Sequence, residues 1–145
     1  MSTNTNTNAE ATYLASGDPA LSEYFPAWVN NLADDVTIEG SAMNGAVQGA
    51  DAVRSIVKYI RSLYEDQEFK FAGPYGENGF LEDYTARVNG EPIGNVVLVT
   101  LNAEGQAQHI VANYRPRSTL LLLSRLIGEH FAGTPYGEHF AHSGD

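Results

Sequence analysis

The fold is decided by residues 32–40, LADDVTIEG, together with the segment that follows at 48–57, QGADAVRSIV. The β-branched run Val36–Ile38 favours a strand, which we place at 36–41. The acidic pair Asp34–Asp35 predicts a turn before that strand, because aspartate side chains commonly hydrogen-bond nearby backbone groups in turns. The two segments therefore predict a turn, a strand, a loop and a helix, in that order.

The segment after residue 48 has the clearest helical pattern in the chain. Gly49 and Asp51 mark its start, since an acidic side chain is favoured in the positive first turn of a helix. Apolar residues recur at helical spacing and predict a buried stripe: Val53, Ile56, Val57, Ile60, Leu63 and Tyr64. Another side carries Arg54, Lys58 and Arg61, which is typical of a solvated face; a site for an anionic partner is the alternative.

Shorter patterns flank this helix. Residues 19–33 have apolar side chains at helical spacing, and Pro26 predicts a break or kink within them. From Glu68 onward the apolar period changes to two, which predicts four strands, at 68–76, 80–89, 95–101 and 106–115. Asn-Gly pairs between these runs are typical of hairpin turns, so we expect an antiparallel meander.

A last helix is predicted at 118–131, with Ser118 or Thr119 as its cap. Its leucines lie nearly all round, so it should be buried on more than one side. The order of elements predicts an α+β fold, in which a curved antiparallel sheet wraps around the long helix and leaves a pocket between them. We expect a flexible tail at 1–18, a single domain at 19–131 and a C-terminal tail at 132–145.

Composition narrows the classes of function. The chain has 145 residues and a formal net charge of −10, which argues against a nucleic-acid-binding surface. It has no cysteine, so disulfides and thiolate chemistry are excluded. No apolar run approaches the roughly 20 residues that span a bilayer, and the N-terminus lacks the apolar core of a signal peptide, so we expect a cytoplasmic protein with no membrane partner. No glycine-rich phosphate motif opens a helix, and we predict no cofactor.

The first strand and the helix after it resemble the nuclear transport factor 2-like superfamily, which includes ketosteroid isomerases and SnoaL-like polyketide cyclases. The similarity rests on Ala33–Asp35, the acid Glu39, Gly49 at the end of the loop, and the closing Tyr114–Pro116. It covers residues 20–116. It implies a cone-shaped fold with a deep apolar pocket and a homodimer formed through the sheet face. Because such a fold carries enzymes, ligand binders and assembly domains, the resemblance alone selects none of them.

The resemblance also implies where an isomerase would keep its functional groups. The general base would follow the acid of the first strand, and that place holds Gly40. A second acid would lie where this chain has Val97, and the tyrosine donor would lie in a region where Tyr13 is a poor candidate. All three places are therefore vacant.

Alternation along the predicted strands indicates which residues face the pocket. In strand 80–89 the even residues form an apolar face interrupted by Glu82 and the hydroxyl of Tyr84. Burial would raise the pKa of such a carboxyl and suit it to acid/base catalysis. A tyrosine hydroxyl could donate a hydrogen bond to a developing oxyanion. Glu82 and Tyr84 are thus the candidate catalytic residues, with Tyr114 as a second possible donor. A paired structural glutamate and ordinary core tyrosines are the alternatives. The candidate ligand-binding residues are Ile38, Gly40, Ile60, Tyr84, Ala86, Val97, Val99, Ile110, Ala112 and Tyr114.

Other polar residues are interpreted as structural. Glu39 and His109 should face away from the pocket by strand parity. The tail repeats Gly-Glu-His-Phe at 128–131 and 137–140, followed by His142. Such residues could hold a divalent metal, but without a defined ligand set we predict no metal site and a tail docked by its aromatic rings.

Three functions remain open from the sequence. The first is binding of a small apolar molecule, favoured by the apolar pocket face and the vacant isomerase places. The second is an isomerase, dehydratase or cyclase that uses Glu82 as acid/base and a tyrosine as oxyanion donor. The third is a dimeric interaction module based on the sheet face and the leucine-rich last helix.

Overall fold

Six strands form one open sheet in the part of the chain that this computed structural model describes, residues 21 and 24–141. The strands are β1 (Leu32–Gly40), β2 (Val47–Gln48), β3 (Tyr64–Tyr75), β4 (Gly79–Val88), β5 (Glu91–Leu101) and β6 (Ala107–Arg115). Their spatial order is β2-β1-β6-β5-β4-β3. Two α-helices complete the fold, α1 (Ala50–Leu63) and α2 (Arg117–His130), with short 3-10 helices at Ala27–Asn30 and Pro135–His139.

The α+β fold predicted from the sequence is confirmed, with one correction to the sheet. Strands β3 to β6 form the expected antiparallel meander, but β1 runs parallel to β6, so the sheet is mixed. The reason is topological: α1 and the whole meander separate β1 from β6 along the chain, and such a long connection allows the last strand to return in the direction of the first.

The prediction for Asp34–Asp35 was wrong, because both residues lie within β1 and make no turn before it. Along β1 the paired positions advance from Leu32 to Thr37, while along β6 they advance only from Ala107 to His109. The surplus residues of β1 bulge out of the ladder, and both aspartates are exposed. The strand therefore starts earlier than predicted, and residues 32 and 33 belong to it rather than to a preceding helix.

The core lies between α1 and the inner face of the sheet. Val53, Ile56, Val57 and Ile60 are the buried residues of α1, as the helical pattern predicted. Two residues of the predicted stripe depart from it: Leu63 is only half-buried, and Tyr64 lies outside the helix, because α1 ends at Leu63 and Tyr64 opens β3. In the segment before β1 a 3-10 helix begins directly after Pro26; residues 1–20, 22 and 23, which include Tyr13 and Pro19, lie outside the described residues.

Helix α2 contacts β5, β6, α1 and the 3-10 helix Pro135–His139, so the expected burial on more than one side is confirmed. The predicted cap was wrong: the helix starts at Arg117, Pro116 is its N-cap, and no side chain caps it. Ser118 and Thr119 therefore lie inside the first turn, where Thr119 is buried.

The repeated Gly-Glu-His-Phe tail docks onto the body of the protein. Phe131 and Phe140 are both buried, and His130 stacks on Tyr59 with 3.8 Å between ring centroids. A Cβ at Gly128 would lie 2.3 Å from the carbonyl oxygen of Ala141, so a glycine is needed for the tail to approach α2. Across the described residues, no group of three or more acidic or histidine side chains is placed to share a metal ion. His142 lies outside them.

Candidate functional site

A pocket opens between α1 and the inner face of the sheet, under a roof formed by residues 26–29. Its empty space, including the part open to solvent, is about 450 Å³. The wall is mostly apolar, with polar groups at a few places. The lining residues are Pro26, Trp28, Val29, Ile38, Val57, Ile60, Arg61, Gln67, Glu82, Tyr84, Asn95, Val97, Ile110, Ala112 and Tyr114.

Glu82 lies inside this pocket and is only 1% exposed. It is on the same face of β4 as Tyr84, because alternate residues of a strand point to the same side. Its Oε2 accepts hydrogen bonds from the hydroxyl of Tyr24 and from Nε1 of Trp28, the latter at 2.8 Å. Burial raises the pKa of the Glu82 carboxyl, and the two hydrogen bonds and the charge of Arg61 oppose that rise without cancelling it.

Three tyrosines and one asparagine form a second polar group on the wall. The hydroxyl of Tyr64 lies 2.7 Å from that of Tyr84 and 3.2 Å from that of Tyr114. Nδ2 of Asn95 donates to the Tyr84 hydroxyl at 2.7 Å. Burial raises the pKa of each of the three tyrosines, so their hydroxyls stay protonated at neutral pH. We call these four residues the tyrosine–asparagine cluster.

The register of the sheet creates this cluster. Asn95 of β5 is paired with Tyr84 on β4 and with Tyr114 on β6, so the three side chains form one row across the inner face. Tyr64 comes from the start of β3, directly after α1, and its ring meets that of Tyr84 edge-on with 5.4 Å between centroids. Residues far apart in sequence thus meet because adjacent strands place their paired residues side by side.

Most predicted ligand-binding residues lie on the pocket wall, namely Ile38, Ile60, Tyr84, Val97, Ile110, Ala112 and Tyr114. Gly40 lies beside a smaller adjoining cavity, which Ala112 and Tyr114 also line. Ala86 and Val99 face the same side but do not line the pocket, and they are buried in the core beside it. Strand parity gave their direction correctly, but it carries no information about how far along the strand the pocket extends.

Six polar or aromatic residues of the site were missed from the sequence: Tyr24, Trp28, Arg61, Tyr64, Gln67 and Asn95. Asn95 was detectable, since it shares the parity of Val97 and Val99 and is the polar member of an apolar face. Arg61 was assigned to a solvated face, yet it lines the pocket and its guanidinium lies 4.8 Å from the ring centre of Phe25.

The outer-face residues lie where parity predicted. Glu39 is exposed, and its Oε2 lies 2.9 Å from Nε2 of His109. The other ring nitrogen of His109 contacts the hydroxyl of Thr37. These three side chains point away from the pocket, so the acids of the opening stretch are not part of the candidate site.

Gly40 has a steric reason to be glycine. It is paired with Ala112 across the parallel β1–β6 contact, and a Cβ at Gly40 would lie 2.0 Å from the carbonyl oxygen of Ala112. No side chain fits there unless the strands separate. The place that the resemblance assigns to an isomerase base is therefore closed to an aspartate in this structure.

No protein-family model matches the sequence, and no curated protein is similar to it. Solved structures are similar in fold. An uncharacterised protein with a cystatin-like fold from Silicibacter pomeroyi DSS-3 has a TM-score of 0.69 at 20% identity, with 93% of this chain and 94% of that chain covered. A steroid delta-isomerase from Pseudomonas aeruginosa has a TM-score of 0.67 at 17% identity, with 89% and 93% covered. A de novo designed protein with a curved β-sheet has a TM-score of 0.52 at 18% identity, with 83% and 92% covered.

These similarities confirm the fold expected from the sequence. The chain has the cone-like α+β fold of nuclear transport factor 2-like proteins. Identities of this size carry the fold and not the chemistry, so function has to be argued from the pocket itself.

Proposed function

We propose that the protein binds a small, mostly apolar molecule in the pocket between α1 and the sheet. The observation that carries this proposal is the make-up of the wall, where aliphatic side chains from α1, β1, β5 and β6 surround a few polar groups. Pockets of this kind draw affinity from apolar contact and use a few polar groups to fix the orientation of the ligand.

The size of the pocket limits the ligand. Its space of about 450 Å³ includes the part open to solvent, so the enclosed part is smaller and suits a ligand of no more than one ring. Single-ring compounds such as toluene, cyclohexanone and caprolactam are therefore suitable probes. A ligand that binds only the folded state raises the melting temperature, and the stabilisation grows with the logarithm of its concentration over Kd, which makes thermal shift the direct test.

The substitution Ala112→Met should weaken the binding of all three probes by at least about tenfold, because the longer side chain fills part of the pocket. Ala112 lines both the pocket and the adjoining cavity, so methionine has space to enter there. Asn113→Met is the matched control, since Asn113 is exposed and its amide donates to the carbonyl of Val96. Titration calorimetry of the two variants gives the comparison, and equal affinities in both would place binding elsewhere.

A second candidate function is acid–base catalysis on such a ligand. Glu82 favours it, because a buried carboxyl with a raised pKa shares the pocket with neutral hydroxyl donors. In such a reaction the carboxylate would take a proton from the carbon next to a carbonyl group. A tyrosine hydroxyl would donate to the oxygen of the resulting enolate, and the carboxyl would return a proton to carbon.

Hydrogen exchange tests this second candidate without a known substrate. In D₂O the carboxyl of Glu82 would exchange its proton with solvent, so each catalytic cycle on cyclohexanone would replace one α C–H by C–D. We expect the wild-type protein to accelerate this exchange and Glu82→Gln to lose the acceleration, with Glu39→Gln as the exposed control. If cyclohexanone binds but exchanges no faster than in buffer, the protein is a binder only.

Two further expectations stay predictions. One is a homodimer formed through the sheet face, and the other is a cytoplasmic location. Within the described part of the chain, no helix is long and apolar enough to cross a membrane.

A further inference from the structure

Two polar side chains of the pocket wall, Arg61 and Gln67, have no hydrogen-bond partner among the described residues. The other polar side chains of the wall are hydrogen-bonded to protein groups, namely Trp28, Glu82, Tyr84, Asn95 and Tyr114. Within the part of the chain that the structure describes, Arg61 has no ion pair either. The N–H donors of its guanidinium are therefore free to bind a ligand.

The guanidinium of Arg61 is held at the solvent side of the pocket. Its central carbon lies 4.8 Å from the ring centre of Phe25, a distance at which a cation is attracted to the face of an aromatic ring. Arg61 is half-buried and Phe25 is 54% exposed, so these two side chains border the opening. A planar group held in this way loses little freedom when a ligand binds, which favours recognition through its N–H groups.

The wall carries no counter-charge that neutralises Arg61. The other charged residue of the wall is Glu82, which makes no ion pair with Arg61. Burial raises the pKa of the Glu82 carboxyl, and the more distant charge of Arg61 only opposes that rise, so the wall favours the neutral carboxyl. The acids Glu65, Asp66 and Glu68 of β3 are exposed and do not line the pocket.

The position of Arg61 on α1 distinguishes it from the other two cations of that helix. Arg54 forms a surface ion pair with Asp51, with 3.2 Å between Nη1 and Oδ1. Lys58 is exposed and does not line the pocket. The sequence left an anionic partner open for this cationic side of α1, and the structure directs one of its three cations to the pocket.

We propose that the pocket binds an apolar carboxylic acid as its anion, with the ring or chain against the aliphatic wall and the carboxylate at Arg61. A guanidinium suits a carboxylate because its N–H groups can form two parallel hydrogen bonds to the two oxygens. The amide of Gln67 provides a further donor on the same wall. One cation balances a single negative charge, so a carboxylate fits better than a phosphate ester, which carries about two. This inference rests on the proposed binding function and adds the head group and charge of the ligand.

Four compounds with the same ring test this inference on the full chain by titration calorimetry near neutral pH: benzoate, benzamide, toluene and benzylammonium. Toluene measures the apolar contribution alone. We expect benzoate to bind about tenfold more tightly than benzamide, which has the same shape but no charge. Benzylammonium should bind most weakly, because its charge has the same sign as that of Arg61.

Two variants assign the effect to Arg61. Arg61→Gln removes the charge and should bring the affinity for benzoate down to that for benzamide, while the affinity for toluene stays within about twofold. Lys58→Gln is the matched control, since it removes the same charge from an exposed position on the same helix and should leave all four affinities unchanged. Ala112→Met should weaken benzoate as it weakens the apolar probes, which would place the bound ring in the pocket.

Salt dependence gives a second readout on the wild-type protein, which decides the question even if Arg61→Gln does not fold. Arg61 is half-buried, so dissolved ions screen its charge. Raising NaCl from about 0.05 M to about 0.5 M should reduce the advantage of benzoate over benzamide several-fold without weakening toluene.

The outcomes separate this inference from the function on which it rests. If none of the four compounds binds, the proposed function itself is wrong. If toluene or benzamide binds as tightly as benzoate, the pocket binds apolar rings without selecting a carboxylate, and the inference is overturned. It is also overturned if benzylammonium binds most tightly, since Glu82 would then set the charge preference, or if Lys58→Gln weakens benzoate as much as Arg61→Gln does.

Discussion

We expect Gly40→Ala to lower the free energy of unfolding by roughly 3 kcal/mol, the upper part of the usual range for an overpacked site. The added methyl group would lie 2.0 Å from the carbonyl oxygen of Ala112, and that oxygen is backbone. It cannot rotate away as a side chain would, so β1 and β6 have to separate. Urea denaturation monitored by circular dichroism measures the change.

Glu39→Ala is the control for this experiment, since Glu39 is the neighbouring residue on β1 and is exposed. Its contact with His109 is at the surface and should contribute less than about 1 kcal/mol. A cost below about 1 kcal/mol for Gly40→Ala would show that the strands move apart easily. In that case Gly40→Asp could be used to place a base beside the pocket, which the present geometry forbids.

Glu82→Ala should lower the free energy of unfolding by about 3 kcal/mol at pH 5. The substitution leaves the Tyr24 hydroxyl and the Trp28 indole N–H without their acceptor and opens a cavity in the wall. Because Trp28 belongs to the roof of the pocket and Tyr24 lies just before that segment, the roof should loosen. Tryptophan fluorescence, which reports on Trp28 as the only tryptophan of the chain, follows the loosening directly.

Glu82→Gln separates the charge from the hydrogen bonds. Glutamine keeps an acceptor for Tyr24 and Trp28 but does not titrate. Since burial raises the pKa of Glu82 above its ordinary value of 4.5, the wild-type carboxyl favours folding fully below pH 4.5 and loses this contribution as the pH rises through the folded pKa. The stability of Glu82→Gln relative to the wild type should therefore increase as the pH is raised from 4.5 to 8.

The size of that increase reports how far the pKa is raised, since one pKa unit corresponds to about 1.4 kcal/mol. Glu39→Gln is the control, because its side chain is on the exposed face. A relative stability that falls with rising pH would mean that the hydrogen bonds from Tyr24 and Trp28 outweigh burial. The carboxyl would then be ionised throughout, and its role would be to hold the roof.

Local patterns in the sequence determined most of the secondary structure. Burial could be predicted from the sequence for the helical stripe from Val53 to Ile60 and for the alternating strands after Glu68. The reason is that side-chain periodicity depends only on the backbone of the element itself. The same periodicity placed Glu82 and Tyr84 together on the pocket face and Glu39 on the outer face. The Leu32–Gly40 stretch, the helix after it and the closing Tyr114–Pro116 carried the resemblance that implied the cone-shaped fold.

Tertiary structure alone decided the chemistry of the site. Tyr24 and Trp28 reach Glu82 from 58 and 54 residues away, and Tyr64, Tyr84, Asn95 and Tyr114 meet only through helix packing and strand register. The need for glycine at position 40 comes from the pairing of β1 with β6, which is set by the whole meander between them. Periodicity indicates which way a side chain points. Which atoms it meets depends on the register of distant strands, and no local pattern encodes that register.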